Sequence, residues 1–368
     1  MRILAVILIF LMSGLNAGGL KAQKAPVKKT YNIALLLPFK SNETVSTAVA
    51  DAIMDYYQGF KMAVKELEES GLKAKVFVFD TDKDSLALER LLTKRELKEM
   101  DVIIGPVYED GMRKTEAFCI ANQILLVSPL KYFEASKTGV TTINFFTSDS
   151  LRHASVMKNV FRMFPKHRFF IVSDGSSASK RNAGIIKKVC TELKAPNYRS
   201  VSIAAGKITP AITRTDSIIL ISTIESTDVK ADLLAQIKNK KASWVLGHHE
   251  WLSTYKSVSN LNEPRLLYPE MTIKTPLDSG LRIFAERFYD NYMGDPSKYA
   301  YIGYDQGLFL GYGLMSFGTS FWSSTAGLDF KGLINHIQLS DCNGCNEINN
   351  SGLHFIRISE GTREEYEP

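Results

Sequence analysis

Short apolar runs and amphipathic stretches alternate along most of this chain of 368 residues. The clearest runs are Val102–Ile104, which ends at Gly105-Pro106, and Ile124–Val127, which ends at Ser128-Pro129. Short, fully apolar strands that alternate with helices are typical of a parallel sheet covered on both faces. Strands that end in Gly, Ser and Pro place those residues at the carboxyl edge of such a sheet, where ligands are bound.

The alternation runs in two consecutive series, one up to residue 146 and one that starts again at residue 150. The first predicts strands over 32–37, 75–79, 102–104, 124–127 and 142–145, and helices over 51–70 and 85–98, with Asp84 as a helix cap. The second predicts strands over 168–172, 198–203, 216–222, 243–246 and 265–268, and helices over 150–164, 180–193 and 228–240. This rhythm predicts an α/β protein of two doubly wound parallel-sheet lobes joined by a hinge.

The last part of the chain is mainly helical in pattern, with helices predicted over 281–292, 301–317 and 330–337 and an extended run over 353–358. We therefore assign residues 31–148 and 275–326 to an amino-terminal lobe, residues 149–274 and 327–360 to a carboxyl-terminal lobe, and residues 361–368 to an acidic tail. Loops at the carboxyl ends of the strands are expected to line a cleft between the lobes.

The amino-terminal 22 residues differ from the rest of the chain. Arg2 gives a positive start, residues 3–12 form an apolar core of signal-peptide length, and Ala22 is the favoured cleavage site, with Ala17 the alternative. The apolar core is too short to span a bilayer comfortably, so a membrane anchor is the weaker interpretation. Residues 23–30 form a basic linker, and no cysteine follows the signal to carry a lipid. We expect an exported periplasmic protein with no membrane-spanning segment after signal cleavage.

Composition and charge exclude several other classes of protein. With 45% hydrophobic and 23% charged residues, the chain has the composition of a globular protein and not of a disordered one. The formal net charge is +6; without residues 1–22, which carry two basic residues and no acid, 43 basic and 39 acidic residues leave +4. No long basic cluster or basic stripe interleaved with aromatic residues occurs, so nucleic-acid binding is not expected.

Four cysteines are present, two of them in the segment Cys342-Asn343-Gly344-Cys345. Asn-Gly is the preferred centre of a tight type I′ turn, so the flanking thiols are close enough to bridge in an oxidising compartment. A local disulfide is the favoured interpretation and a reduced pair the alternative; a redox-catalytic pair is disfavoured because that motif should open a helix after a strand. Cys119 and Cys190 fall on predicted helix faces and are expected to be small buried hydrophobes.

Several polar side chains near predicted strand ends are candidate ligand contacts. Tyr108 and Ser128 follow strands of the first lobe, and Asp174 and Ser176 follow the first strand of the second lobe. The alternative for each is a turn or helix-capping residue.

The segment His248-His249-Glu250-Trp251 is the most suggestive polar cluster. Adjacent histidines at a strand-to-loop transition cannot both point one way, and no third ligand is spaced as in His-Glu-x-x-His, so no metal site is predicted. His249 and Trp251 are candidate cleft residues, Trp251 as an aromatic lining with Tyr255; simple surface or inter-lobe packing is the alternative.

No catalytic constellation is evident in the sequence. It contains neither a Gly-x-x-x-x-Gly-Lys phosphate loop nor a Gly-x-Ser-x-Gly nucleophile elbow. Glycines 303, 307, 311 and 313 stand at roughly helical spacing and indicate close helix–sheet packing. We therefore predict no enzymatic activity, no catalytic residue and no cofactor.

The order and spacing of the motifs resemble those of type I periplasmic binding proteins, the superfamily of leucine/isoleucine/valine-binding proteins. The resemblance covers about residues 31–360 and is carried by 31–39, Tyr57-Gln58-Gly59-Phe60, Ile103–Pro106 with Ile124–Pro129, and Tyr304-Asp305. Within the superfamily the chain is similar to binding-protein-like domains of bacterial envelope proteins. These include an outer-membrane lipoprotein that activates a penicillin-binding protein and the LysM-associated domain of Bacteroidota proteins.

The resemblance implies binding by hinge closure, but the amino-acid site of the superfamily is altered. Amino-acid binders place a Ser or Thr shortly after the Gly-Pro strand end to hold the ligand carboxylate, whereas Pro106 is followed by Val107-Tyr108-Glu109-Asp110. We therefore expect a non-enzymatic envelope component of outer-membrane or peptidoglycan assembly that binds a protein partner or senses a small polar ligand. The alternative is a solute-binding protein that delivers an amino-acid-like ligand to an ABC transporter.

Overall fold

The chain forms two compact α/β units in a computed structural model. The first unit comprises residues 1–147 and 274–352, and the second comprises residues 148–273 and 353–368. In each unit the described residues form a seven-stranded, mostly parallel sheet, which confirms the predicted two-lobe α/β class. The structure describes residues 28, 30–40, 48–82, 85–136, 142–195, 198–203, 217–237, 242–252, 254, 265–273, 278–321, 329–341, 347–359 and 362–366.

The strands and helices of the described residues are numbered in chain order. The strands are β1 (Tyr31–Leu37), β2 (Ala74–Asp80), β3 (Val102–Ile104), β4 (Leu125–Ser128), β5 (Thr142–Asn144), β6 (Arg168–Ser173), β7 (Tyr198–Ser202), β8 (Ser217–Ser222), β9 (Ala242–Leu246), β10 (Arg265–Glu270), β11 (Phe330–Lys331), β12 (His336–Ile337), β13 (Leu339–Asp341), β14 (Glu347–Asn350), β15 (His354–Ser359) and β16 (Thr362–Glu365). The helices are α1 (Ala48–Glu69), α2 (Ser85–Leu92), α3 (Glu109–Asn122), α4 (Asp149–Met163), α5 (Ser177–Glu192), α6 (Thr227–Ile237), α7 (Ser279–Tyr292) and α8 (Lys298–Phe317).

The sheet of the first unit has the strand order β13-β14-β5-β4-β3-β1-β2. Its neighbouring strands are parallel except for the antiparallel pair β13 and β14. Strands β1, β3 and β4 are almost wholly apolar and buried, as expected for strands covered on both faces. Gly105, directly after β3, has a φ of +89°, and a Cβ there would lie 2.2 Å from the Leu36 carbonyl oxygen. Only glycine fits this strand end.

Helices α1 and α8 pack along each other at backbone contact distance. A Cβ added to Gly59 of α1 would lie 1.9 Å from the carbonyl oxygen of Ala300, and one added to Gly303 of α8 would lie 2.1 Å from that of Tyr56. The helical glycine spacing therefore serves a helix–helix contact in the first unit, in place of the predicted helix–sheet contact. The Tyr56 hydroxyl donates to Gln306 Oε1 across the same contact at 2.8 Å.

The predicted helix over residues 330–337 is wrong. Strands β11 and β12 form a small antiparallel hairpin there. Its turn is held by Asp305 of α8, which is fully buried and accepts hydrogen bonds from the backbone N–H groups of Leu333, Ile334 and Asn335 at 2.6–2.9 Å. The Asn335 side chain donates to the same carboxylate at 2.9 Å. The apolar spacing of residues 330–337 is helical, but the hydrogen bonds to buried Asp305 hold these residues in a turn.

The carboxyl-terminal part of the chain is divided differently from the prediction. Residues up to 352 belong to the first unit, because β13 and β14 extend the first sheet and β14 pairs in parallel with β5. The expected assignment of residues 327–360 to the second lobe is therefore wrong for all but its last part. The predicted helix over 85–98 is also interrupted: α2 ends at Leu92, Lys94 is extended, and a 3₁₀ turn follows over Arg95–Glu99.

The sheet of the second unit has the order β16-β15-β10-β9-β8-β6-β7, with β6 to β10 parallel and β15 and β16 antiparallel at one side. Separate apolar clusters cover its two faces; one includes Phe169 and Trp244, and the other includes Phe170 and Trp251. Alternate residues of β6 thus point to opposite faces. Among the described residues, no helix of either unit is both long enough and apolar enough to cross a membrane.

Candidate functional site

Residues 129–136, which we call the covering loop, follow β4 and bind the side chains at the carboxyl ends of β4 and β5. Ser128, at the end of β4, is 2% exposed and its hydroxyl donates to the Lys131 carbonyl oxygen at 2.6 Å. Asn144, at the end of β5, accepts from the Phe133 N–H at 3.0 Å and donates to the Phe133 carbonyl oxygen at 2.9 Å. These two strand-end side chains therefore bind the chain's own backbone.

Two buried acids hold the far end of the covering loop. Glu347 of β14 accepts hydrogen bonds from the Ala135 N–H at 3.0 Å and the Tyr132 hydroxyl at 3.1 Å. Glu116 of α3 accepts from the Ser136 N–H at 2.6 Å. Burial, together with the charge of Glu347, raises the pKa of Tyr132, so the phenol remains a donor at neutral pH. Both buried acids are thus engaged by the covering loop.

Tyr108 precedes α3 and is half-buried, without a side-chain capping bond to the helix. The ammonium of Lys131 lies 5.8 Å from the centre of its ring, a cation–π distance. The two first-lobe candidates, Tyr108 and Ser128, are thus both in contact with the covering loop through Lys131. Their role as ligand contacts stays a prediction.

The corresponding edge of the second sheet is organised by Asp174, at the end of β6. Its carboxylate accepts from the N–H groups of Ser176 and Glu225 at 2.9 Å each and of Ser226 at 3.1 Å. Burial raises the pKa of Asp174, but these hydrogen bonds outweigh burial and hold its pKa below the usual value. Asp174 thereby joins the loop after β6 to the loop after β8.

Ser176 is the N-cap of α5, and its hydroxyl accepts from the Ser179 N–H at 3.2 Å. The Ser179 hydroxyl is buried and lies 3.0 Å from the hydroxyl of Thr223, which donates to the Val172 carbonyl oxygen at 3.0 Å. Asp174 and Ser176 therefore have the turn and cap roles that were the alternative interpretation. Any ligand contact by them stays a prediction.

The two other candidates, His249 and Trp251, follow β9 and differ in burial. Trp251 is 0% exposed and packs in the core, where a Cβ on Gly247 would lie 2.8 Å from its ring. Trp251 is therefore a core residue in this structure and, contrary to expectation, does not line an open edge. His249 is exposed and remains available to a ligand. Tyr255 lies outside the described residues.

The described residues contain no group of three His, Cys, Asp or Glu side chains that could hold a metal ion. His248 Nδ1 lies 3.5 Å from the Glu250 carboxylate. Burial and the nearby charge of Lys230 lower the pKa of His248, against the opposing effect of Glu250.

Sequence reasoning missed Lys230, in the first turn of α6. The residue is 4% exposed, and its ammonium lies 5.7 Å from the centre of the Trp251 ring. A signal was present in the sequence, because Lys230 stands in the first position of the buried stripe that continues with Leu233, Leu234 and Ile237. A lysine in an apolar stripe is unusual, since lysine is almost never fully buried unless it is paired.

The cysteines divide into two pairs. Cys119 and Cys190 are buried free thiols, which confirms the prediction for both. Burial raises the pKa of the Cys190 thiol to about 11, so it is not a thiolate nucleophile at neutral pH. Cys342 and Cys345, with their predicted disulfide, lie outside the described residues.

Comparisons with known proteins reveal the fold but no family. No protein-family model matches the sequence, and no curated protein matches it. A putative branched-chain amino acid ABC transporter protein from Rhodospirillum rubrum is 10% identical, with a TM-score of 0.59 over 92% of this chain and 100% of that chain. The C-domain of LpoA from Haemophilus influenzae, a regulator of PBP1A, is 13% identical, with a TM-score of 0.55 over 91% and 100%.

A third solved structure is full-length LpoA from Haemophilus influenzae, which is 14% identical with a TM-score of 0.57. That match covers 97% of this chain and 61% of the LpoA chain. A putative branched-chain amino acid ABC transporter protein and a regulator of PBP1A thus share one architecture with this chain. The chain has the type I periplasmic binding protein fold.

Proposed function

We propose that the protein is an exported, non-enzymatic component of the bacterial cell envelope that acts by binding a protein partner in outer-membrane or peptidoglycan assembly. The observation that carries the proposal is the covering loop of the first unit. In amino-acid binders of the resembled superfamily, hydroxyl and N–H groups near this edge hold the ligand carboxylate. Here Ser128 and Asn144 bind residues 131 and 133 of the chain itself.

The residues after Pro106 support the same proposal. Glu109 and Asp110 are exposed at the start of α3, where two carboxylates would repel a ligand carboxylate. The fold is shared with the LpoA C-domain, whose described role is regulation of PBP1A, so this architecture can serve a regulator. The signal-like residues 1–22 support export to the periplasm.

The first experiment isolates the protein from its native envelope after cross-linking in intact cells, and identifies proteins and released small molecules in the same sample by mass spectrometry. We expect one envelope protein to be enriched and then to bind the purified chain in a reconstituted assay. Amino-terminal sequencing of the isolated protein should begin near residue 23. Stoichiometric release of a free amino acid, with no protein partner, would overturn the proposal.

The second candidate function is delivery of an amino-acid-like ligand to an ABC transporter, which the fold shared with the Rhodospirillum rubrum protein favours. A binder of that kind gains stability that grows with the logarithm of the ligand concentration divided by its dissociation constant. Leucine, isoleucine, valine and a panel of polar amino acids can be tested for a shift in melting temperature. We expect no shift, because Ser128 and Asn144, at the carboxyl ends of β4 and β5, already bind the covering loop.

A further inference from the structure

Strand β2 is an outer strand of the first sheet, and among the described residues it pairs only with β1. It is seven residues long, with the sequence Ala-Lys-Val-Phe-Val-Phe-Asp, and none of its residues is buried. Val78 is 40% exposed. Within the described part of the chain, it is the one strand residue among the exposed large apolar side chains. Strand β2 therefore presents an open apolar edge.

The other outer strands of the two seven-stranded sheets have features that discourage pairing with another chain. Strand β13 has three residues, and its Leu339 is buried. Strand β16 is the exposed segment Thr-Arg-Glu-Glu, and β7 exposes Arg199 and Ser200. Short, polar or charged edges limit edge-to-edge pairing, whereas a long apolar edge is a pairing site. Of the four outer strands in the described residues, only β2 is both long and apolar.

The pairing of β2 with β1 shows which backbone groups of β2 face outward. The Tyr31 N–H donates to the Lys73 carbonyl oxygen at 2.8 Å, and the Thr81 N–H donates to the Leu37 carbonyl oxygen at 3.0 Å. Along a parallel pair, every second residue directs its N–H and C=O groups to the neighbouring strand. The odd-numbered residues of β2 therefore face β1.

The even-numbered residues Ala74, Val76 and Val78 direct their backbone groups away from β1. Each offers one N–H and one C=O group, and no described residue binds them. An added antiparallel strand forms its hydrogen-bonded pairs with residues spaced in this way. The edge of β2 therefore has the backbone groups that a further strand needs.

Strand β2 is complementary to itself in the antiparallel direction. If Phe77 of one copy lies opposite Phe77 of another, Val76 and Val78 face each other in two symmetric pairs. These are hydrogen-bonded pairs, because both residues belong to the outward-facing set. An aromatic pair across two strands is a favourable contact, so the Phe77 pair adds to the hydrogen bonds.

The charges at the two ends of β2 favour the same direction. Lys73 and Lys75 are exposed at its amino end, and Asp80 and Asp82 stand at its carboxyl end. Antiparallel pairing brings the basic end of each copy beside the acidic end of the other. Parallel pairing would bring like charges together.

We propose that β2 is a self-association surface, at which the β2 strands of two copies of this chain pair antiparallel and join their first sheets edge to edge. The same strand serves both copies, so the contact is isologous and closes at a dimer. This inference goes beyond the proposed function and does not depend on it, because two copies pair without an envelope partner.

The test measures self-association of the purified full chain by sedimentation velocity over a concentration series. Val78→Pro removes an outward N–H group that makes no bond to β1, and Val78→Lys keeps that group but adds a charge to the edge. Ser200→Pro is the matched control on the outer strand β7. The Ile203 N–H donates to the Ser173 carbonyl oxygen, so the Ser200 N–H also points outward. Amide hydrogen exchange of residues 74–80 is followed at low and high concentration.

We expect the wild-type chain and Ser200→Pro to pass from monomer to dimer as the concentration rises, with slower exchange at residues 76 and 78 in the dimer. Val78→Pro and Val78→Lys should each raise the dissociation constant of the dimer at least about tenfold, because the symmetric pair contains the substituted residue twice. The melting temperature of each variant, measured at low concentration, shows whether it folds. Val78→Lys decides the test if Val78→Pro does not fold.

Four results would overturn the inference. They are a wild-type chain that stays monomeric at every concentration, a dimer that Val78→Lys forms as well as wild type, a dimer in which exchange of residues 74–80 is unchanged, and protection of these residues by an envelope protein bound to a monomeric chain. Self-association is measured with the purified chain alone, so its failure is distinct from a failure to bind an envelope partner.

Discussion

Alanine at position 59 should separate helices α1 and α8 and destabilise the first unit. The added Cβ would lie 1.9 Å from the Ala300 carbonyl oxygen, whereas ordinary contact begins at 3.4 Å, so the backbones must move apart by about 1.5 Å. The contact atom belongs to a helix backbone and has no rotamer to change. The strain must therefore spread into the packing of α1 and α8, including buried Tyr56 and Phe60.

The expected magnitude is the difference between two effects. Overpacking of a core costs about 1–3 kcal/mol, and a clash with backbone belongs at the upper end of that range. Alanine gains about 1 kcal/mol over glycine in a helix interior. Gly59→Ala should therefore lower the free energy of unfolding by about 2 kcal/mol, which for a unit of this size lowers the melting temperature by about 4–8 °C.

Gly184→Ala is the matched control. Gly184 is an exposed interior residue of α5, and a Cβ there would meet no atom within 4 Å. The same substitution should then raise the free energy of unfolding by up to about 1 kcal/mol. Both variants can be compared with wild type by differential scanning calorimetry. If Gly59→Ala melts at or above the wild-type temperature, the close approach of α1 and α8 is not a feature of the folded protein.

Three other substitutions test the polar contacts. Asp174→Asn should lower the free energy of unfolding, measured by urea titration at pH 7, by about 1–3 kcal/mol. Because the pKa of Asp174 is lowered in the folded protein, the difference between variant and wild type should be at its full size above about pH 4 and should vanish as the pH falls through the folded-state pKa. Asp305→Ala leaves four hydrogen-bond donors without an acceptor and should lower the free energy of unfolding, measured by calorimetry, by about 3–5 kcal/mol. Asp290→Asn, at an exposed position, should change this free energy by less than about 0.5 kcal/mol. Glu347→Gln should speed amide hydrogen exchange at Ala135, seen by mass spectrometry, while unchanged exchange there would show that this carboxylate does not hold the covering loop.

The central parallel strands, such as β1, β3 and β8, could be predicted from the sequence because each is a short, nearly continuous apolar run. Strand β14 could not, because Glu347, Asn349 and Asn350 are polar and nevertheless buried. Their partners lie about two hundred residues earlier: Asn349 binds Asn144, and Glu347 binds the covering loop. Polar strands satisfied by distant side chains leave no local pattern.

The same limit explains the site residues. Ser128 and Asp174 were found because they follow recognisable strands, but their engagement by the chain itself depends on loops whose path no local signal fixes. The turn over 333–335 read as helix because its acceptor, Asp305, lies on another element. Lys230 is visible in the sequence as a charge in an apolar stripe, but it does not stand at a strand end.

The division of the chain has a consequence for its synthesis. The first unit includes residues 274–352, which follow the main segment of the second unit, and the second unit includes residues 353–368, which follow the first. Each unit is therefore built from two segments that are separated in sequence by a segment of the other. The first sheet lacks its full set of strands until β14 is made, and the second sheet lacks its full set until β15 and β16 are made. A nascent chain therefore carries two incomplete sheets until strands β13 to β16 emerge. During that interval the unpaired strand edges can pair with other chains and aggregate. Protein that ends before residue 339 should therefore lack strands of both sheets, whereas protein that ends at residue 352 should lack strands of the second sheet alone.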